Sequence, residues 1–289
     1  MVDIWQVGIV PEPIGNALAP QGLDKSRVVW LPPQGSFRFI ADPFGLFHDD
    51  RFTVLVEAYD YRVKRGEIHY YSYDRDWALK ERGAALKEPF HLSYPLLIRQ
   101  GEDIFMLPEA YQSGRLTLYK AIEFPKAWQP VAVLLDEPAV DATIFRHQRR
   151  WWMLYALYGD DGRDTRELHA AFADSLTGPW RRHPQNPVRT GRESSRPAGS
   201  PFEHDGQLHF PTQDCTAGYG SAINLLRIDR LTPDEFSAGI VKRLPPEGWL
   251  DGFDKGLHTL SDGGGVTLID VKRVERTPML RRRLEAMPS

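Results

Sequence analysis

The stretch IADPFGLFHDDRFTVLVEAYD, residues 40–60, places a carboxylate, Asp42, beside a proline just before the alternating apolar run RFTVLVE (51–57). Alone, Ala-Asp-Pro-Phe marks only a turn ahead of a strand, because Asp and Pro are the usual punctuation there. The pattern recurs, however. A second β-patterned run follows at EIHYYSYD (67–74), and then come HLSYPLLIRQGEDIFMLPEAYQSGRLTLYKAI (91–122), AVDATIFRHQRRWWMLYALYG (139–159) with ELHAAFADSLTGPWRRHPQNPV (167–188), SRPAGSPFEHDGQLHFPTQDC (195–215) with SAINLLRIDRLT (221–232), and KGLHTLSDGGGVTLIDVKRV (255–274).

With Asp42, Tyr94, Asp141, Arg196 and His258 as markers, the steps are 52, 47, 55 and 62 residues, each holding three or four short β-patterned runs. That is the length of one propeller blade, a four-stranded antiparallel sheet that must stack on its neighbours to cover its faces. The expectation is an all-β fold: a single five-bladed β-propeller domain over 1–289, with no linker to divide it. A two-sheet β-sandwich is the rival architecture. Helical periodicity is absent except at LTPDEF (231–236) and the last residues, and 24 Gly and 23 Pro punctuate the runs.

Composition narrows the function classes. The chain is 42% hydrophobic and 26% charged, enough apolar material for a sizeable core. A net charge of −3 supplies no basic field for nucleic acid or an anionic membrane. The basic run KRVERTPMLRRR (272–283) reads as a solvated tail. The single cysteine, Cys215, excludes an internal disulfide and leaves no cysteine-based zinc site. The first residues have no basic segment or long apolar stretch, and nothing later approaches a membrane span, so a cytoplasmic protein is expected.

Innermost blade strands run along the propeller axis, so a motif repeated at their starts converges on one end of the central channel. The converging set is Asp42, the Ser93-Tyr94 pair, Asp141, Arg196 and His258, joined by Glu109 from the second strand of its blade and by Gln213 and Asp214 from the corresponding place two blades on. Carboxylates from different blades facing one cavity suit glycosidic-bond chemistry, one protonating the leaving oxygen and another activating water or attacking the sugar. Asp42, Glu109, Asp141 and His258 also offer an oxygen-rich set for a calcium ion in the channel. No ligand loop of recognisable spacing accompanies them, so no metal and no other cofactor is assigned.

IADPFGLF (40–47), VDATIF (140–145) and DSLTGPWRRHPQNPV (174–188) resemble the five-bladed propeller glycosidases of glycoside hydrolase family 43 and relatives acting on fructans. The resemblance implies Asp42 as base or nucleophile and Asp141 as the carboxylate that orients it. Over nearly the whole chain, the 91–110, 140–145, 195–232 and 257–273 stretches look like the propeller preceding the transferase part of plant glucosamine inositolphosphorylceramide transferase. They also resemble bacterial propellers that stand alone or are joined to a formyltransferase-like domain. One departure matters: where family 43 enzymes carry a glutamate as general acid in the fourth blade, SRPAGSP (195–201) places Arg196, which does not donate a proton in this role.

Glu109 is the candidate replacement acid. Arg196 suits an anionic group of a ligand, or else clamps Asp141 or Asp214; Tyr94, Gln213, Asp214 and His258 complete the substrate-binding set. The functional expectation is a carbohydrate-active protein cleaving or transferring a glycosyl unit, with a carbohydrate or nucleotide sugar as ligand. The alternative is a glycan-binding or scaffolding propeller partnering a transferase or formyltransferase. Trp151 and Trp152 are read as packing residues, GDDGRD (159–164) as a polar turn and SDGGGV (261–266) as a hairpin turn. Ser93 has no triad partners beyond His258.

Overall fold

A computed structural model describes residues 1–275. Its strands form five antiparallel sheets arranged as a five-bladed β-propeller. The first blade runs Arg38–His48, Arg51–Asp60, Arg65–Tyr73 and Leu79–Leu86, and the second Ser93–Gln100, Asp103–Glu109, Leu116–Glu123 and Ala127–Leu135. The third is Ala139–His147, Arg150–Leu157, Glu167–Ala173 and Arg181–Arg182, with Arg189–Thr190 also pairing to its third strand. In the fourth, the innermost strand is broken into Arg196–Pro197 and Phe202–His204, followed by Gln207–Asp214, Ala222–Leu231 and Phe236–Leu244.

The fifth blade joins the two ends of the chain. Leu260–Asp262 and Thr267–Glu275 form its inner half, and the N-terminal strand Val2–Val10 pairs with the latter from Val2↔Glu275 to Val10↔Thr267, with Val29–Trp30 outside. This seam closes the ring by main-chain hydrogen bonds and leaves no sheet edge at the junction. SDGGGV is the expected hairpin turn, closed by Gly263 N–H donating to Val266 O at 2.7 Å.

Each blade junction carries its own apolar cluster, because strand residues alternate between the two faces of a sheet. Trp151, Met153 and Tyr155 pack with Leu96, Phe105 and Leu118 of the second blade, whereas Trp152 and Leu154 pack with Phe210 and Leu226 of the fourth. The adjacent tryptophans are therefore wedges in successive junctions. Burying side chains of this size contributes about 1.5–3 kcal/mol each.

Two sequence expectations are corrected. LTPDEF is a tight connection, not a helix: Leu231 ends one strand, Phe236 begins the next, and Thr232 N–H donates to Glu235 O. The basic run does not begin as a solvated tail, since Lys272 and Arg273 belong to the closing strand and Lys272 is buried. Its remainder from 276, and the helix expected in the last residues, lie outside the described residues.

Candidate functional site

The inner strands enter the axial end of the channel through a repeated distortion. Asp42, Tyr94 and Asp141 all have positive φ (52°, 45° and 48°), and in each strand the pairing register shifts at that point. Such a β-bulge re-aims the side chain, here toward the axis, and the left-handed conformation suits Asp far better than Tyr. The backbone N–H freed at each bulge finds a buried carboxylate. Asp42 N–H donates to Asp270 Oδ2 at 3.0 Å, Tyr94 N–H to Asp42 Oδ2 at 3.3 Å, and Asp141 N–H to Glu109 Oε2 at 3.1 Å. Carboxylates thus link blade to blade while lining the cavity.

The cavity is about 310 Å³, and Asp42, Glu57, Glu109, Asp141, Asp164, Arg196 and His258 all face it. Next to the lining residue Ser93, Tyr94 is 1% exposed; its hydroxyl bonds Thr143 Oγ1 at 2.8 Å and accepts the Gly199 N–H at 2.6 Å. At the mouth stand Tyr59, Tyr111 and Tyr158, one from each of the first three blades, with Tyr111 and Tyr158 stacked at 4.5 Å.

His258 lies flat on Trp5 of the N-terminal strand, ring centroids 3.7 Å apart. Its Nδ1 donates to Asp270 at 2.8 Å, and its Nε2 faces Asp42 Oδ1 at 3.5 Å. Burial alone would lower its pKa, but Asp270 and Asp42 on either side outweigh that and raise it, which favours the imidazolium. Asp270 is fully buried and also accepts the N–H groups of His258 and Thr259.

Asp42, His258 and Asp270 bring potential ligand atoms within 4.8 Å of one another. The set fits a metal ion poorly, because both Asp270 oxygens are engaged by backbone N–H groups and the imidazole is held between two carboxylates. Of the other members of the expected calcium set, Glu109 accepts the Asp141 N–H and the Asp141 carboxylate is held by Arg196 instead.

Burial raises Asp42 to about 7 against the pull of His258, with Asp141 and Asp270 adding to the rise. Burial likewise brings Asp141 to about 7, opposed by Arg196 and reinforced by Glu109. Glu109 is raised by burial, with Arg196 pulling the other way. Carboxyls poised to change protonation near neutrality are the equipment of general acid–base chemistry.

The sequence-predicted residues divide into three groups. Asp42, Glu109, Asp141, Arg196 and His258 converge on the cavity, and Ser93 lines it. Gln213 and Tyr94 do not line it: Gln213 donates to Asp141 Oδ2 at 3.1 Å, and Tyr94 is buried against Thr143. Asp214, expected in the converging set, turns away to Thr216 and Arg243, since neighbouring strand residues point to opposite faces. Arg196 is a clamp: Nε meets Asp141 Oδ2 at 2.6 Å, Nη1 meets Asp164, and its guanidinium lies over the Tyr219 ring at 5.0 Å.

Other site residues were not singled out from the sequence. Glu57 sits opposite Ala41 as Glu109 sits opposite Ser93, and both occur in the same tripeptide, Glu57-Ala58-Tyr59 and Glu109-Ala110-Tyr111. That internal match was a usable signal. Asp164 belongs to GDDGRD, read only as a turn; Asp270 interrupts the apolar run TLIDV (267–271), itself a flag for a buried carboxylate. Trp5 and Tyr219 gave no local signal.

A family profile described as "Glucosamine inositolphosphorylceramide transferase 1, N-terminal" matches residues 33–244. Glucosamine inositolphosphorylceramide transferase 1 of Oryza sativa subsp. indica is 30% identical over 272 residues, covering 88% of this chain and 36% of the relative. The chain therefore spans about a third of that protein. Among solved structures, Zg3597, a family 117 glycoside hydrolase of Zobellia galactanivorans, superposes with TM-score 0.55 at 13% identity, covering 88% of this chain and 93% of that one. A family 43 β-xylosidase/α-arabinofuranosidase from a compost metagenome gives TM-score 0.55 at 12% identity, covering 85% and 96%. At these identities the structural matches establish the shared propeller fold.

Proposed function

The chain belongs to the family of the glucosamine inositolphosphorylceramide transferase 1 N-terminal domain, a carbohydrate-related family, and from that premise we propose that its axial pocket cleaves or transfers a glycosyl unit. The observation that carries this reading is the meeting of Asp42, Asp141 and Glu109, drawn from three blades and with raised pKa values, in one cavity with an aromatic mouth. Tyrosine faces suit the apolar faces of a sugar ring, and buried carboxyls supply proton transfer.

In this proposal Asp42 is the base or nucleophile. Thr259 Oγ1 donates to its Oδ1 at 3.2 Å and the Tyr94 N–H holds its Oδ2, which orients the carboxylate while His258 favours its ionised form. Asp141, clamped by Arg196 and Gln213, sets the local charge. Glu109 is the acid: Oε2 takes the Asp141 N–H, leaving Oε1 to carry a proton. The enzymes named in the structural matches are glycoside hydrolases, and the sequence relative is named a transferase; both names support the reading.

A second reading, a glycan-binding propeller that serves a separate transferase, draws support from Arg196. It occupies the fourth-blade acid position of family 43 enzymes and is fully engaged by Asp141 and Asp164. A mass-spectrometric turnover screen of wild type, Asp42→Asn and Glu109→Gln against nucleotide sugars and oligosaccharides separates the two. Catalysis predicts product from wild type and a loss of about 10²–10⁴-fold in variants that still bind. Binding by all three proteins without product refutes catalysis and supports the glycan-binding reading.

A further inference from the structure

Glu57 is a buried carboxyl that the proposed chemistry does not use. It is 7% exposed, lines the cavity, and receives no hydrogen bond from the described residues. His91 lines the cavity beside it, its ring packed edge-on against Tyr59 and Tyr111 of the mouth at 5.9 and 6.2 Å. The His91 Nε2 stands 3.7 Å from Glu57 Oε1, beyond hydrogen-bond reach. Two polar groups thus face the cavity without a protein partner, close enough to share one ligand atom.

The surrounding backbone and charges fix what each group offers. Gly66 N–H donates to His91 Nδ1 at 2.9 Å, so the proton of the neutral imidazole sits on Nε2. Burial lowers the His91 pKa to about 4, which keeps the ring uncharged near neutrality and makes Nε2 a donor only. A side chain at position 66 would place its Cβ 2.8 Å from Glu57 Oε1 and 2.9 Å from His91 Cε1, so glycine there admits both groups. No cation compensates Glu57: Arg196 is committed to Asp141 and Asp164, and His258 lies between Asp42 and Asp270. Burial, then the nearby Asp42, Glu109, Asp141 and Asp270, raise Glu57 well above the usual carboxylate range. It is therefore a carboxylic acid, with one O–H donor and one carbonyl acceptor, and a carboxyl kept neutral in this way can donate a hydrogen bond to a ligand.

A hydroxyl meets these demands together. Set between the pair, its oxygen accepts the His91 N–H, and it either donates to the Glu57 carbonyl oxygen or accepts the Glu57 O–H. An ammonium has no lone pair for the His91 N–H, and a carboxylate would join a cavity already lined by Asp42, Glu109, Asp141 and Asp164. Resting on the carbohydrate reading of the same pocket, we infer that Glu57 and His91 form one subsite that holds a neutral sugar by a single hydroxyl at the tyrosine mouth. The pair binds and orients the ring for Asp42 and Glu109, and no covalent bond changes there.

The test is calorimetric binding of methyl glucosides, galactosides and mannosides, followed by the monodeoxy derivatives of the tightest binder at carbons 2, 3, 4 and 6. Loss of one hydroxyl is expected to weaken binding by about tenfold or more, because it leaves both protein groups unpaired. That penalty should fall below about threefold in Glu57→Leu and in His91→Asn, which keeps an acceptor for the Gly66 N–H but has no counterpart of Nε2. Glu57→Gln, neutral and of the same shape, should retain both the affinity and the penalty. A sugar that binds while every deoxygenation costs less than about threefold overturns the inference and leaves the carbohydrate reading standing. A penalty undiminished in Glu57→Leu and His91→Asn, or one lost in Glu57→Gln, also overturns it. If no glycoside binds, both fall.

Discussion

Replacing Asp42 by Asn should stabilise the protein at neutral pH, by an amount that follows from its burial. The Asp42 carboxyl is brought from 3.8 to about 7 in the folded protein, chiefly by desolvation. Between those values the folded state holds a proton that the unfolded chain has released, so this group's contribution is fully present below about pH 4 and is lost as pH rises through 7. A rise of about three pH units, at about 1.4 kcal/mol each, amounts to about 4 kcal/mol of destabilisation above neutrality. The asparagine side chain carries no such titration. It tolerates positive φ and keeps a carbonyl oxygen for the Tyr94 N–H.

The value of about 7 for Asp42 already contains the pull of His258, so the variant is expected to be favoured by about 4 kcal/mol above pH 7.5 and by close to zero near pH 4. The assay is urea denaturation of both proteins at pH 4, 5.5, 7 and 8.5. The difference between the two curves reports Asp42 together with the groups it is coupled to, His258, Asp141 and Asp270. Parallel stability profiles, or a variant less stable than wild type at pH 8.5, would refute the desolvation argument.

Two further outcomes test the architecture beneath the site. Tyr94→Phe removes the acceptor of the buried Gly199 N–H and the partner of Thr143, and should cost about 1–3 kcal/mol in urea denaturation; a change under about 0.5 kcal/mol would show this buried network to be incidental. Gly199 adopts φ +127°, and a methyl there would overlap the Leu260 carbonyl of the next blade. Gly199→Ala is therefore expected to lose about 3 kcal/mol or more or to accumulate as insoluble protein, and normal yield with an unchanged melting curve would contradict that packing.

Blade count was legible because alternation and turn chemistry are local: a strand such as Arg51–Asp60 shows its two faces within ten residues. Asp42 and Asp141 were legible as carboxylates read ahead of a β-patterned run, whereas the structure places both inside the innermost strands, at left-handed bulges. Repetition at blade spacing then implied their convergence. Glu57 carried a signal in the shared Glu-Ala-Tyr tripeptide that becomes decisive only when register places it opposite Ala41.

Other features depend on contacts that no window of sequence spans. Asp42 is held by Asp270 across 228 positions, and Lys272 reaches Asp3 across 269, because the N-terminal strand closes the fifth blade. Only that closure lays Trp5 under His258, and only the approach of the third blade's loop to the fourth blade sets Asp164 against Arg196 and consumes its charge. The repeating blades and the short motifs that meet at the axis are written in the residue order itself, since both follow from local backbone preference. Which carboxylates are paired and which are buried alone are settled by tertiary structure, because electrostatic compensation depends on distance in space and not on order along the chain.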